Sequence, residues 1–146
     1  MNKVDKWDAR WLEVAGMVGT WSKDPRTKIG AIAVKDKRLI STGYNGFPRG
    51  IEDLDDRWNN REEKYKYVVH AEMNCIYNAN YHNQSLKGST MYIVGLPVCH
   101  ECAKGIVQAG VVRVVAEFKD APLKWAKSTE ITEKMFFEAG VIYDQI

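Results

Sequence analysis

The hydrophobic positions near the start of the chain repeat with the period of a helix. Apolar residues recur at steps of three and four, which predicts an amphipathic helix whose apolar face is rich in tryptophan. We expect that face to belong to the core. It consists of Trp7, Trp11, Val14, Ala15, Val18 and Trp21.

Two short β-rich runs follow this helix. The runs KIGAIAVK and RLISTGY are joined between Lys35 and Arg38, close enough to form an antiparallel hairpin. From Gly43 to Glu63 the sequence becomes rich in Gly, Asn, Asp and Arg, which predicts a long loop or insertion. A loop of that length inside a compact domain is usually functional or disordered.

Helical and β-rich patterns alternate over the second half of the chain. They predict a helix from His70 to about Asn80, a buried strand in STMYIVG, and a second helix that begins near Cys99. Gly110 and Gly140 are suited to left-handed helix ends, and each leads directly into a β-branched run. Because strands that alternate with helices pair in parallel through right-handed crossovers, we expect an α/β fold. Its mixed five-stranded sheet, an antiparallel hairpin followed by parallel strands, would carry helices on both faces.

Length and composition fit one domain. The 146 residues, 45% of them hydrophobic, can form one core but are too few for two ordinary domains. No apolar run reaches the roughly 20 residues of a membrane span, and MNKVDKWDAR lacks the apolar core of a signal peptide. We therefore expect a cytoplasmic protein, or one in a host's cytoplasm if its source is viral, with no membrane contact. A net charge of +2 does not suggest a stable nucleic-acid partner.

The segments HAEMNC and PVCHEC carry the candidate chemistry. His70, Cys99 and Cys102 offer one imidazole and two thiolates, so a tetrahedral zinc would keep its fourth position open for water, as in catalytic sites. Zinc lowers the pKa of bound water to about 7. Glu72 is too close to His70 in sequence to be a comfortable co-ligand, and its carboxylate can move the water proton to a substrate nitrogen. The remaining thiol, Cys75, is expected to be a small core residue.

Each part of this set has an ordinary alternative. A lone CxxC can be a redox pair or half of a structural zinc site, and a lone histidine is more often a core or surface residue. The combination of His, Glu, Pro and two Cys in this order favours a catalytic zinc. Both ligand segments are predicted at helix N-termini, whose positive dipole ends favour thiolate. Three other residues are expected outside the ligand set, namely His82, His100 and Glu101.

The pattern HxE followed by a proline and CxxC resembles the zinc-dependent cytidine and deoxycytidylate deaminase superfamily. Pro97 stands one residue further upstream than in the usual PCxxC, with Val98 directly before Cys99. The predicted order of elements is also similar to the three-layer α/β/α cytidine deaminase fold over nearly the whole chain. The resemblance implies a single deaminase domain over residues 1–146 with one catalytic zinc.

Other segments resemble the deoxycytidylate (dCMP) deaminase branch, above all SKDPRTKIGA and TGYNGFPRG. The resemblance implies that Ser22, Lys23 and Arg26 hold a 5′-phosphate, with Thr27 beside them, and their donors and positive charge suit a nucleotide monophosphate. The alternative is a solvated turn after the first helix. Asn45 is placed by resemblance near the deoxyribose, and its alternative is a plain turn residue.

The implied reaction is hydrolytic deamination of dCMP to dUMP and ammonia, which feeds dTMP synthesis. Glu72 would take a proton from water, protonate N3 of cytosine and assist the departing amine, while the backbone of Ala71 or Cys99 reads the base. The family often places a tyrosine against the nucleotide. The corresponding segment EFKDAPLKW has none, and Phe118 or Trp125 are the candidates to replace it.

The glycine-rich segment further resembles an effector site, at which dCTP activates and dTTP inhibits a homohexamer. Mg²⁺ would accompany the triphosphate. The alternative is a mobile surface loop. The implied effector-binding residues are Gly43, Tyr44, Asn45, Gly46 and Arg49.

Two other functions stay open. A tRNA or single-stranded nucleic acid adenosine or cytidine deaminase would share HAE and CxxC, but it would need a basic surface and would lack the SKDP and GYNG segments. A non-catalytic, zinc-stabilised nucleotide-binding module would have a fourth protein ligand and no need of Glu72.

Overall fold

The computed structural model describes residues 4–146, and over this range it shows one mixed five-stranded sheet. The spatial order is β2-β1-β3-β4-β5. β1 pairs antiparallel with both β2 and β3, whereas β4 pairs in parallel with β3 and β5. The predicted hairpin followed by parallel strands is confirmed. The strands are β1 (Gly30–Lys35), β2 (Arg38–Tyr44), β3 (Thr90–Val94), β4 (Arg113–Glu117) and β5 (Ile142–Gln145).

Helices cover both faces of this sheet. One helix, α1, packs its buried Leu12, Ala15 and Val18 on one face. α4, α5 and α6 cover the other, because β3, β4 and β5 follow one another across the sheet and right-handed crossovers then place both connecting helices on one side. Within residues 4–146, no helix is both long and apolar enough to cross a membrane. The helices are α1 (Lys6–Gly19), α2 (Asp55–Asn59), α3 (Arg61–Tyr67), α4 (Ala71–Tyr81), α5 (His100–Gln108) and α6 (Ala126–Ala139), with a short 3₁₀ helix at Leu123–Trp125.

The apolar face of α1 is narrower than the sequence predicts. Ala15 and Val18 are buried, but Trp7 and Trp11 are half-buried and stack on each other with their ring centroids 6.4 Å apart. Trp21 is 54% exposed. The prediction of Trp21 as a core residue was wrong, because the helix ends before this position and no longer directs it towards the sheet.

The prediction of a long loop over 43–63 was also wrong for the second half of this segment, where α2 and the start of α3 form. Asn60 caps α3 by accepting a hydrogen bond from the Glu63 amide. Trp58 of α2 is buried and stacks on Phe47, with ring centroids 4.1 Å apart and an angle of 9° between the planes. A few aromatic contacts fix this segment, and its polar composition concealed them.

Gly43 lets α4 lie directly on β2. A Cβ atom at Gly43 would be 2.3 Å from the Cys75 nitrogen and 2.4 Å from the Ala71 oxygen, and backbone atoms cannot move aside. The Ser41 hydroxyl of β2 donates to the Cys75 carbonyl oxygen at 2.7 Å, and Cys75 is fully buried, as predicted. The N-terminus of α4 is therefore held beside the end of β2.

A buried charged cluster joins α1 to β4 and β5. The Arg113 guanidinium donates to Asp8 and to Asp144, at 2.8 Å in each case, and the Tyr92 hydroxyl donates to Asp8 at 2.7 Å. Both carboxylates are at most 4% exposed. Burial alone would raise the pKa of Asp8, but the hydrogen bonds from Arg113 and Tyr92 outweigh it and hold that pKa below its ordinary value.

We expect Arg113→Met to lower the free energy of unfolding at pH 7 by about 3–5 kcal/mol, because it leaves Asp8 and Asp144 buried and unpaired. Since the pKa of Asp8 is lowered in the folded state, its stabilisation is present above the unfolded pKa of about 4 and is lost as the pH falls through the folded value. Urea unfolding from pH 7 down to pH 3 should show the difference between wild type and variant shrink as the pH falls, because the unpaired Asp8 carboxylate of the variant takes up a proton at a higher pH than the paired one.

The matched control is Lys134→Met, which removes an exposed i,i+4 pair with Glu130. This variant should lower the free energy of unfolding by less than about 1 kcal/mol. Equal losses in the two variants would contradict the importance of the buried cluster.

Candidate metal centre and adjoining cleft

Three potential ligand atoms meet where α4 and α5 begin. His70 is the N-cap of α4 and Cys99 is the N-cap of α5, while Cys102 lies in the first turn of α5. The His70 Nδ1 atom is 3.5 Å from the Cys99 Sγ and 3.3 Å from the Cys102 Sγ. The two ligand segments therefore meet at helix N-termini, as the sequence predicts.

This spacing suits a tetrahedral zinc. With Zn–S bonds of about 2.3 Å and Zn–N bonds of about 2.0 Å, neighbouring ligand atoms lie about 3.5–3.8 Å apart. The three candidate atoms all lie within 4.8 Å of one another, and residues 4–146 contain no other group of three such ligands. His82, His100 and Glu101 stand outside the group, as expected. Three protein ligands leave one position of the tetrahedron open.

The thiols differ in their readiness to ionise. Hydrogen bonds from Cys102 and from His70 lower the pKa of Cys99 to about 4, although burial opposes them. The hydrogen bond to Cys99 and burial raise the pKa of Cys102 above its ordinary value. The same contact with Cys99 raises the pKa of His70. The Cys99 thiol is therefore readily ionised. A bound divalent cation would favour loss of the second thiol proton, from Cys102.

Glu72 lies beside this cluster in the first turn of α4. It is 4% exposed, and its Oε1 atom has no hydrogen-bond partner within the described residues. Burial raises the pKa of Glu72 to about 7. A buried carboxylate oxygen without a partner is costly, but a pKa near neutrality suits a group that takes up and returns a proton.

A cleft adjoins His70, and sequence analysis found only part of its lining. Of the predicted substrate residues, Thr27 and Asn45 line it. Ala71, the first residue of α4, is fully buried. Sequence reasoning missed the remaining polar and aromatic lining residues, which come from three separate segments. They are Asp24, Lys64, Tyr65 and Lys124.

Asn45 holds the loop between α1 and β1. Its Oδ1 atom accepts from the Ile29 amide at 2.9 Å, and its Nδ2 atom donates to the Thr27 oxygen at 2.8 Å. The Ser22 hydroxyl donates to the Asn45 carbonyl oxygen at 2.7 Å and is buried. Ser22 and Asn45 therefore shape the loop that the sequence assigned to a nucleotide.

Two charged side chains of this loop form ion pairs, and a third faces solvent without a partner among the described residues. Asp24 forms a buried ion pair with Lys64 of α3 at 3.1 Å, and Lys23 pairs on the surface with Asp53 at 2.8 Å. Arg26 is exposed, and its guanidinium has no hydrogen-bond or ion-pair partner in the part of the chain that the structure describes. Lys64 lies 40 residues from Asp24, so no local spacing could indicate this pair.

An aromatic ring lies next to the candidate ligands. Trp125 lines the cleft, with its ring centroid 6.4 Å from that of His70 and an angle of 25° between the planes. Of the two candidates that the sequence offered for the family tyrosine, the structure brings Trp125 to the cleft, whereas Phe118 is not among its lining residues.

A second pocket contains only part of the predicted effector set. Tyr44, Gly46 and Arg49 line it, together with Asn74 and Tyr77 of α4. The structure does not bring the other two predicted residues there. They are Gly43, which is buried beneath α4, and Asn45, which lines the cleft beside His70.

Comparison with known proteins agrees with this geometry. The family model for the cytidine and deoxycytidylate deaminase zinc-binding region matches residues 5–118. The chain belongs to this family. The matched deaminase region contains all three candidate ligands and Glu72, so the predicted family is confirmed.

Individual members of the family cover most of the chain. An uncharacterized deaminase of the luxG 3′ region of Aliivibrio fischeri is 36% identical over 140 residues, covering 94% of this chain and 92% of the relative. The deoxycytidylate deaminase of Mus musculus is 35% identical over 144 residues, covering 94% and 78%. The dCMP deaminase of cyanophage S-TIM5, crystallised with dCMP and dUMP, matches with a TM-score of 0.79 at 25% identity, covering 99% of this chain and all of the phage chain.

We expect Cys102→Ala to lose bound zinc, since only two ligands would remain. The wild-type protein should carry about one zinc per chain after gel filtration, measured by atomic emission. Cys75→Ala is the matched control, because Cys75 is equally buried but its thiol contacts the Ser41 carbonyl oxygen rather than the cluster. Loss of zinc from both variants, or from neither, would contradict the ligand assignment.

Proposed function

We propose that this protein is a zinc-dependent enzyme that hydrolyses dCMP to dUMP and ammonia. The observation that carries the proposal is the buried carboxylate of Glu72, whose Oε1 atom has no described partner, beside a cluster of one imidazole and two thiols. The names of its relatives support this substrate, since the mouse relative is a deoxycytidylate deaminase and the cyanophage enzyme was crystallised with dCMP and dUMP.

In this proposal His70, Cys99 and Cys102 hold one zinc. When bound, the metal supplies the Lewis acidity that makes a water molecule nucleophilic at neutral pH. Glu72 accepts a proton from that water and delivers protons to N3 of cytosine and to the departing amine. Water and dCMP are consumed, and dUMP and ammonia leave. The backbone of Ala71, at the start of α4, contacts the base.

In this proposal, different residues of the cleft contact the base, the sugar and the phosphate of the nucleotide. The ring of Trp125 offers an apolar face to the base, while Asn45 and Thr27 lie where the sugar would pass. Ser22, Lys23 and Arg26 belong to the phosphate end. Among them Arg26 is the principal contact, because Ser22 and Lys23 already bond to Asn45 and Asp53.

We also propose an effector site in the pocket of Tyr44, Gly46 and Arg49, which would bind dCTP or dTTP with Mg²⁺ in a homohexamer in the cytoplasm, a host's included. One hydrogen bond joins this pocket to the helix that begins beside the cleft. The Asn74 side chain donates to the Tyr44 carbonyl oxygen at 2.7 Å, and α4, which carries Asn74, begins at His70. A ligand that displaced Tyr44 would therefore act on α4, the helix that positions His70.

The purified zinc-bound protein should release ammonia from dCMP at least about tenfold more efficiently than from deoxycytidine, because a charge-assisted contact to phosphate contributes about 1.5–3 kcal/mol. The assay should compare dCMP, CMP, deoxycytidine, adenosine and an adenosine-containing RNA, with and without dCTP. A zinc-loaded protein that acts on adenosine in RNA but not on dCMP would overturn the proposal in favour of a tRNA-type deaminase.

A pair of arginine variants tests the phosphate contact within the same assay. Arg26→Ala should raise KM for dCMP about 10- to 100-fold and leave deoxycytidine unaffected. Arg38→Ala is the control, because Arg38 is also exposed but begins β2, whose far end reaches the site about 20 Å away. Equal effects in the two variants would contradict a specific contact by Arg26.

We further expect Glu72→Gln to lower kcat by about 10²- to 10⁴-fold while zinc content stays near one per chain, because the amide cannot take up the proton. Glu101→Gln should retain wild-type turnover, since Glu101 is exposed and pairs with Lys104. A near-normal rate in Glu72→Gln, measured under single-turnover conditions, would contradict the proton-transfer role assigned to Glu72.

A further inference from the structure

The segment that carries the two cysteines is held by the last two elements of the chain. Val98 directly precedes Cys99 and is fully buried. The Thr132 hydroxyl of α6 donates to the Val98 carbonyl oxygen at 2.9 Å, and the Val98 amide donates to the Tyr143 hydroxyl of β5 at 3.4 Å. Both backbone groups of Val98 are therefore bonded to side chains that lie more than thirty residues away.

A second hydroxyl of α6 holds the other side of Cys99. The His100 amide donates to the Ser128 hydroxyl oxygen at 2.9 Å, and this hydroxyl lies 2.8 Å from the His100 Nδ1 atom. Ser128 and Thr132 are four residues apart and so lie on one face of the helix. The backbone on both sides of Cys99 is thus fixed from the same face of α6.

The displaced proline makes the contact with Tyr143 available. A proline at position 98, as in the usual PCxxC order, would have no amide hydrogen to donate. Here Pro97 comes one residue earlier, and Val98 keeps its N–H. The departure from the family pattern therefore coincides with a bond that the pattern itself would forbid.

We infer that Thr132 and Ser128 are positioning residues of the metal centre, whose hydroxyls fix the backbone around Cys99 and so direct its thiolate towards His70. The inference rests on the metal-binding role proposed for the cysteines. Groups that orient metal ligands commonly change metal affinity 10- to 100-fold when removed. Residues 119–146, which lie outside the matched family region, would on this basis complete the centre.

Three threonine variants test this inference. Thr132→Val keeps the shape but loses the donor, Thr132→Ser restores the donor, and Thr129→Val removes a buried hydroxyl that has no partner among the described residues. Zinc affinity is measured by chelator competition, and the thiolate charge-transfer bands of the Co²⁺-loaded protein are recorded, both without nucleotide. We expect about tenfold weaker zinc binding and altered bands in Thr132→Val. Thr132→Ser and Thr129→Val should stay close to wild type.

The outcomes separate this inference from the proposed function. A folded Thr132→Val protein with wild-type zinc affinity and Co²⁺ bands would overturn it, as would equal weakening in Thr129→Val. If Thr132→Val does not fold by circular dichroism, Ser128→Ala decides: weaker zinc binding supports the inference, and unchanged binding overturns it. A wild-type protein that binds zinc but leaves dCMP intact would refute the proposed substrate without affecting this comparison.

Discussion

The candidate metal centre depends on the backbone contact between β2 and α4 at Gly43. Any side chain there would meet the backbone of α4 at 2.3–2.4 Å, so the helix would have to move away from the sheet. Its first residues would move with it, and His70 is the residue that caps this helix. With α4 this close to β2, the imidazole Nδ1 atom lies 3.3–3.5 Å from both thiols. One missing Cβ therefore determines whether ligands from two helices can reach a common point.

The buried carboxylates of Asp8 and Glu72 have opposite hydrogen-bonding environments. Asp8 receives hydrogen bonds from Arg113 and Tyr92, which fix it in the charged state and lower its pKa. Glu72 is as deeply buried but its Oε1 atom has no partner in the described chain, and burial raises its pKa to about 7. A fully bonded carboxylate stabilises the fold, whereas a buried carboxylate oxygen without a partner costs stability, and a pKa near neutrality suits proton exchange. The contrast is consistent with a structural role for Asp8 and with the proton-transfer role proposed for Glu72.

The features that the sequence predicted are those whose signal is local. The hairpin, the alternating second half and the ligands at helix starts all follow from spacing within a few residues. The contacts that it missed join distant segments: Lys64 to Asp24 over 40 residues and Thr132 to Val98 over 34. Such pairs leave no periodicity, so they could not be found. The short helix α2 was missed because its polar residues conceal the one buried ring, Trp58, that holds it.

The loop between α1 and β1 shows that residues of a proposed binding site can also hold its backbone in shape. Its hydroxyl and carboxylate groups, with the amide of Asn45 beside it, are of the kinds that contact ligands. In Ser22, Asp24 and Asn45, however, these groups form hydrogen bonds that hold the loop itself. Bonds of this kind remove conformational freedom before any ligand arrives, so less is lost when one binds. A rigid loop can then present Arg26, whose guanidinium no described residue holds, to a phosphate group. The internal bonds and the free cation are complementary parts of one proposed binding site.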